Sequence, residues 1–128
     1  MKLKEAVVLF VDDEPLLRES MGAWLARKAG RVICAQNGLE ALEILTENKI
    51  DLLVTDIRMP VMDGIALVKK VRKSASPPRV ILVTGFKDIA TGDADALGVD
   101  AIVEKPFDRE DLLRVMRQCL EDVDARAA

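Results

Sequence analysis

Apolar residues along this chain gather in two alternating patterns. Short β-branched runs come first: Val7-Val8-Leu9-Phe10-Val11, Leu52-Leu53-Val54-Thr55, Val80-Ile81-Leu82-Val83 and Ala101-Ile102-Val103. Between them lie segments with apolar residues three and four apart, the spacing of a helix that buries one stripe. The first reads as a helix over about 15–29, with Leu17, Met21, Trp24 and Lys28 on one stripe and Leu25 beside it. Pro15 suits a first helical position and Gly30 a stop. Strand 1 is expected over about 6–11, strand 2 over 31–35, strand 3 over 51–56, strand 4 over 79–84 and strand 5 over 101–104.

Asn37-Gly38 opens a second helix with Leu42 and Leu45 inward. Asp63-Gly64 leads into a third with Leu67, Val68 and Val71. Met59-Pro60 demands an extended turn before it, and residues 74–78 read as a loop. A fourth helix, about 88–97, is weak, because Thr91, Gly92, Asp93 and Asp95 are poor helix formers; Ile89, Ala96 and Leu97 must hold it by packing. Asp108 caps a last helix carrying Leu112, Leu113, Met116, Cys119, Leu120 and Val123. Strands alternating with helices predict an α/β domain, a doubly wound parallel sheet covered on both faces. No internal repeat or low-complexity tract interrupts the pattern, and the tail, Glu121 to Ala128, reads as helical without a linker or second domain.

Composition narrows the function. The 128 residues suit one domain. Net charge is −3 without a basic block, so no nucleic-acid footprint is visible. Six apolar residues after Lys4 and Glu5 are too few for a signal core or membrane span, and a cytoplasmic location is expected. Histidine is absent, which removes Ser-His and Cys-His nucleophile pairs and His-based zinc sites. Cys34 and Cys119, far apart and outside any CxxC, read as reduced core residues.

The chemistry lies where the strands stop. Asp12-Asp13, Asp56, Thr84 and Lys105 each follow or close one of the runs. Parallel strands would align them on the rim where open α/β sheets bind ligands. Each has a bland reading. Asp12-Asp13 is equally a helix-capping pair. Asp56 alone is more often a turn acid, Thr84 a β-former and Lys105 a solvated loop residue. All four bland readings must hold at once for the rim to carry no site. Together, three carboxylates, a hydroxyl and an ammonium suit a divalent cation and a phosphoryl group. Asp56 could attack phosphorus if a cation neutralises the two anions. The same acids oppose a phosphate cofactor bound at the first strand–helix turn.

On Val11-Asp12-Asp13-Glu14, Asp56-Ile57-Arg58-Met59-Pro60, Met62-Asp63-Gly64, Thr84-Gly85 and Lys105-Pro106-Phe107, the chain resembles the receiver domain of two-component response regulators, the CheY-like superfamily. The resemblance covers nearly the whole chain. It implies a flavodoxin-like five-stranded sheet in order 2-1-3-4-5 with five helices. It also implies phosphoryl transfer from a sensor histidine kinase or phosphotransfer protein to Asp56, with Mg²⁺. By the same resemblance, Asp13, Asp56 and the Arg58 carbonyl ligate the metal. Asp12 holds a metal-bound water, and Thr84 and Lys105 bind phosphoryl oxygens. The domain would catalyse its own phosphoryl uptake and slow hydrolysis. Its output would be a surface around the fourth helix, fifth strand and fifth helix, read by a downstream protein or domain.

The chain departs from the family pattern in three ways. Ile102 stands where an aromatic residue is frequent, so a ring-flip switch is not expected there. The stretch from Thr84 to Lys105 is one residue short, a shortfall assigned to the fourth helix. Gly85 replaces the usual Ala. The switch is instead expected in ordering of residues 85–98, and Phe86 is expected to overhang the phosphoryl site. Two rivals remain: a Mg²⁺-dependent phosphatase on external substrates, for which no acid stands two residues after Asp56, and a degenerate receiver that only binds partners.

Overall fold

A computed structural model describes the backbone of residues 1–85 and 97–127, with side chains to residue 121. Five parallel strands form one sheet: β1 (Val7–Val11), β2 (Arg31–Ala35), β3 (Leu52–Asp56), β4 (Arg79–Thr84) and β5 (Ala101–Glu104). Their order is β2-β1-β3-β4-β5. The described helices are α1 (Pro15–Ala26), α2 (Gly38–Glu47), α3 (Gly64–Val71) and α4 (Arg109–Ala127), with a single 3₁₀ turn at Leu3–Glu5. Residues 88–96 of the helix expected over about 88–97, and the Phe86 position, lie outside the described residues.

The period of two along each strand explains both hydrophobic layers. Successive side chains point to opposite faces, and both faces of a parallel sheet are covered. In β1, Val8 and Phe10 enter the layer with Met21 and Leu25 of α1 and Leu112, Met116 and Leu120 of α4. Leu9 and Val11 enter the other, with Ala41 of α2 and Leu67, Val68 and Val71 of α3. All six residues of β4 are buried, which explains its unbroken apolar run.

The edges are less apolar than the sequence suggests. β2 pairs only with β1, and of its five residues only Ala35 is buried. Cys34 is therefore half-buried rather than a core residue, whereas Cys119 is buried. α1 stops at Ala26, three residues before its expected end, and Lys28 is exposed beyond it. Gly30 is not the helix stop. Its N–H reaches the Ala6 carbonyl at 3.0 Å, and a Cβ there would lie 2.9 Å from backbone atoms of Lys4 and Glu5. Glycine is required because the chain passes that close to the 3₁₀ turn.

At the strands' N-terminal ends, polar groups stitch neighbours together. Asp51 accepts from the Val7 N–H at 2.8 Å. Arg79, 8% exposed, pairs with Asp100 at 2.9 Å, and Asp100 also accepts from the Val80 N–H at 2.8 Å. These bonds leave the opposite rim to carry the chemistry.

Candidate functional site

The register brings the rim residues together. Val11 pairs with Ala35 and Thr55, Asp56 with Val83, and Thr84 with Glu104. The last residue of β3 is therefore Asp56 and of β4 Thr84, while Asp12 follows β1 and Lys105 follows β5. All sit at the C-terminal edge of the sheet.

Asp56 is 7% exposed. One carboxylate oxygen accepts from the Ile57 N–H at 2.8 Å, and the other accepts from the Lys105 ammonium at 2.6 Å. The Lys105 Nζ also lies 3.8 Å from Asp12 Oδ2. Lys105 is itself held by its backbone N–H, which donates to the Thr84 carbonyl at 2.7 Å. The Lys105–Pro106 peptide bond is cis. Thr84 is buried at the end of β4.

Asp12 is 3% exposed. It does not cap α1, whose N-cap residue is Glu14 with no side-chain cap. Instead Asp12 Oδ1 accepts from the Glu14 N–H at 2.9 Å, which leaves Oδ2 toward Lys105. Burial pushes the Asp12 pKa above its usual value. The Glu14 N–H and the Lys105 charge lower it, and Asp56 and Asp13 raise it further. Burial works against the Lys105 ammonium. The hydrogen bond and charge of Asp56, with Asp12 and Asp13, outweigh it, so the Lys105 pKa lies above its usual value. The rim thus gathers three carboxylates around a single ammonium.

Oxygens of Asp12, Asp13 and Asp56 lie within 4.8 Å of one another. Three carboxylates and no softer donor fit a hard divalent cation, and this cluster could hold one. Asp13 is exposed, so water can complete a coordination shell. Arg58 is exposed in the loop after β3 and, with Asp13 and Asp63, lines an open pocket beside the cluster.

Three supports were not foreseen from the sequence. Arg18 of α1 donates to the Asp12 carbonyl at 2.8 Å, fixing the turn after β1. Gly64 donates to the Ile57 carbonyl at 2.8 Å, and a Cβ on it would lie 2.1 Å from the Asp56 carbonyl oxygen. Only glycine lets α3 start against the residue that closes β3. Val61 has a φ of 69°, rare for a β-branched residue. Its neighbour Met62 accepts from the Gly38 N–H at 3.0 Å, strapping the loop to α2. The paired Asp63-Gly64 was the available signal for the second of these; nothing in the sequence marked Val61.

A family model for the response regulator receiver domain matches residues 8–117. The transcriptional regulatory protein GlrR of Escherichia coli (strain K12) is 34% identical over 122 residues, 94% of this chain and 28% of its own length. The response regulator MprA of Mycobacterium sp. (strain KMS) is 34% identical over 115 residues, 88% of this chain and 50% of its own. This chain thus spans half or less of those two proteins. Among solved structures, a CheY-like receiver domain protein from Methanospirillum hungatei JF-1 superposes with a TM-score of 0.86 at 26% identity, covering 95% of this chain and 98% of that one. The receiver domain of AraT, a response regulator from Geobacillus stearothermophilus, gives 0.81 at 31% identity, covering 96% and 98%. With its strand order, its rim of acids and a family match over most of its length, the chain belongs to the response regulator receiver domains, the signalling modules of two-component systems.

Proposed function

We propose that Asp56 is the phosphoacceptor of this receiver, with Mg²⁺ as cofactor and a sensor histidine kinase or phosphotransfer protein as donor. One observation carries the reading: the buried Asp56 carboxylate has an ammonium 2.6 Å away and two further carboxylates within metal-sharing distance. A carboxylate oxygen attacks phosphorus, the phosphorus–nitrogen bond of the donor breaks, and the imidazole leaves. Asp13, Asp56 and the Arg58 carbonyl would hold Mg²⁺, with Asp12 beside them. When bound, the metal would supply charge neutralisation between the attacking anion and the phosphoryl oxygens.

Lys105 and Thr84 then bind the phosphoryl oxygens. The modification adds about −1.5 to −2 charge at Asp56, which draws both groups and shifts the surface that includes β5 and α4. Ile102, exposed on β5, offers that surface an apolar contact. The output is control of a downstream protein or domain rather than turnover of an external substrate. No described helix is long and apolar enough to cross a membrane.

The test is mass spectrometry after incubation with acetyl phosphate and Mg²⁺. The intact chain gains one base-labile phosphate and Asp56→Asn gains none. Equal labelling of the two proteins would overturn the assignment. Steady turnover of p-nitrophenyl phosphate would favour the phosphatase rival, and failure of the intact chain to label would favour a degenerate receiver.

A further inference from the structure

A groove among the described residues lies not at the rim but at the opposite pole of the sheet. It measures about 970 Å³ and runs beneath the C-terminal ends of α2 and α3. Asp51, just before β3, lines it, while Asp56 closes the same strand. At about 3.3 Å per residue the two sites stand roughly 16 Å apart. The groove's role is therefore separable from phosphoryl chemistry.

Its floor is apolar and its rim is cationic. The half-buried Leu42 and Leu45 of α2 contribute the floor, backed by the buried Ile50 and Val71. Lys49, Lys70 and Arg72 stand exposed around it. The lining acids are Asp51 and Asp100, and both are committed: Asp51 to the Val7 N–H, Asp100 to Arg79 and the Val80 N–H. Neither Lys49 nor Lys70 has an ion-pair partner among the described residues. A lysine in the last turn of α3 is explained by the helix dipole alone. Lys49 is not, because it lies outside α2, past the Asn48 cap, yet it lines the same groove.

We propose that this groove docks an acidic amphipathic segment of a partner protein. Apolar side chains of the segment would cover Leu42 and Leu45, and its carboxylates would meet Lys49 and Lys70, with Arg72, whose Nη1 already donates to the Gly98 carbonyl at 3.0 Å, beside them. An apolar floor edged by charge suits an amphipathic segment that lays its apolar face into the groove. The surplus of positive charge at its edge selects acidic sequences and repels basic ones. A small phosphorylated ligand would leave the apolar floor uncovered, and a flat lipid surface would not enter the groove.

A random dodecapeptide display library panned against the full, unphosphorylated chain tests this. Enriched peptides combining Asp or Glu with large apolar residues are expected. Synthesised, they should bind at least tenfold more weakly to Lys49→Glu/Lys70→Glu and a few-fold more weakly to Lys49→Gln/Lys70→Gln. Melting and acetyl phosphate labelling should be unchanged in both variants. Absence of enrichment, enrichment of non-acidic peptides, or equal binding to both variants would overturn the proposal. So would lysine-dependent binding to one-third phosphatidylglycerol vesicles or a 20-base-pair duplex that is tighter than binding to any enriched peptide.

Discussion

Lys105 and Asp56 lie 49 residues apart in sequence and 2.6 Å apart in space. β4 and β5 make that contact possible. The Lys105 N–H is fixed to the Thr84 carbonyl, so the side chain leaves β5 directed at the end of β3. The contact is charge-assisted, and such bonds are about twice as strong as neutral ones. Because the Lys105 side chain is still a third exposed, its value lies more in orientation than in stability.

Lys105→Ala should therefore leave the fold nearly intact while slowing phosphoryl uptake. Removal of one positioned donor to developing oxyanion charge typically costs a hundredfold or more. The measurement is the labelling rate with acetyl phosphate, alongside thermal melting. Unchanged labelling by Lys105→Ala would show that the ammonium serves only the resting carboxylate.

Asp12 gives a pH prediction. Its folded pKa is raised, mainly by burial, so the folded state binds its proton more tightly than the unfolded chain does. Stability from this group is fully present below its ordinary value of about 3.8 and is lost as pH rises through the raised value. At neutral pH, Asp12→Asn should raise the melting temperature of the metal-free protein. Mg²⁺ at tenfold its dissociation constant should add about 1.4 kcal/mol to the intact chain, and Asp13→Ala should remove that gain. A Mg²⁺ shift that survives Asp13→Ala would sink the ligand assignment. Melting curves with EDTA or Mg²⁺ measure both effects.

Much of this site was legible because strand ends can be read without long-range information. Four β-branched runs each lead into a polar or charged residue, and a parallel sheet has one carboxyl edge. What could not be read was anything decided by a neighbour distant in sequence. Gly30 looks like a helix stop, but its constraint comes from Lys4 and Glu5. Cys34 sits in an apolar run, yet its strand is an edge, which only the pairing order reveals. Lys28 fits the helical stripe that α1 ends too early to use. Asp12 reads equally as a cap in sequence, but the N-cap of α1 is Glu14 and the second Asp12 oxygen faces Lys105.

Gly64 ties the loop after β3 to the backbone of Asp56. A Cβ at 2.1 Å from the Asp56 carbonyl oxygen cannot be absorbed by a side-chain rotation. Gly64→Ala must move α3 or the end of β3, at a cost of about 3 kcal/mol. Labelling of Asp56 should fall with it, since the carboxylate moves with its backbone. A stable, fully labelled Gly64→Ala protein would show that the two elements can part without disturbing the site.

Val61 should respond in the opposite direction. It holds a left-handed backbone at φ 69° while 77% exposed, so it carries strain without the compensation of burial. The left-handed region costs an L-residue about 1–2 kcal/mol, and asparagine tolerates it best after glycine. Val61→Asn should therefore stabilise the domain by about 1 kcal/mol, a rise in melting temperature of roughly 4 °C at this size. Asparagine is preferable to glycine for the test, because glycine would also add freedom to the unfolded chain. The Met62–Gly38 strap must persist in the variant for the comparison to hold, and hydrogen exchange at the Gly38 amide reads it directly. A destabilised Val61→Asn with that amide still protected would mean that the valine side chain contributes packing beyond its exposed surface.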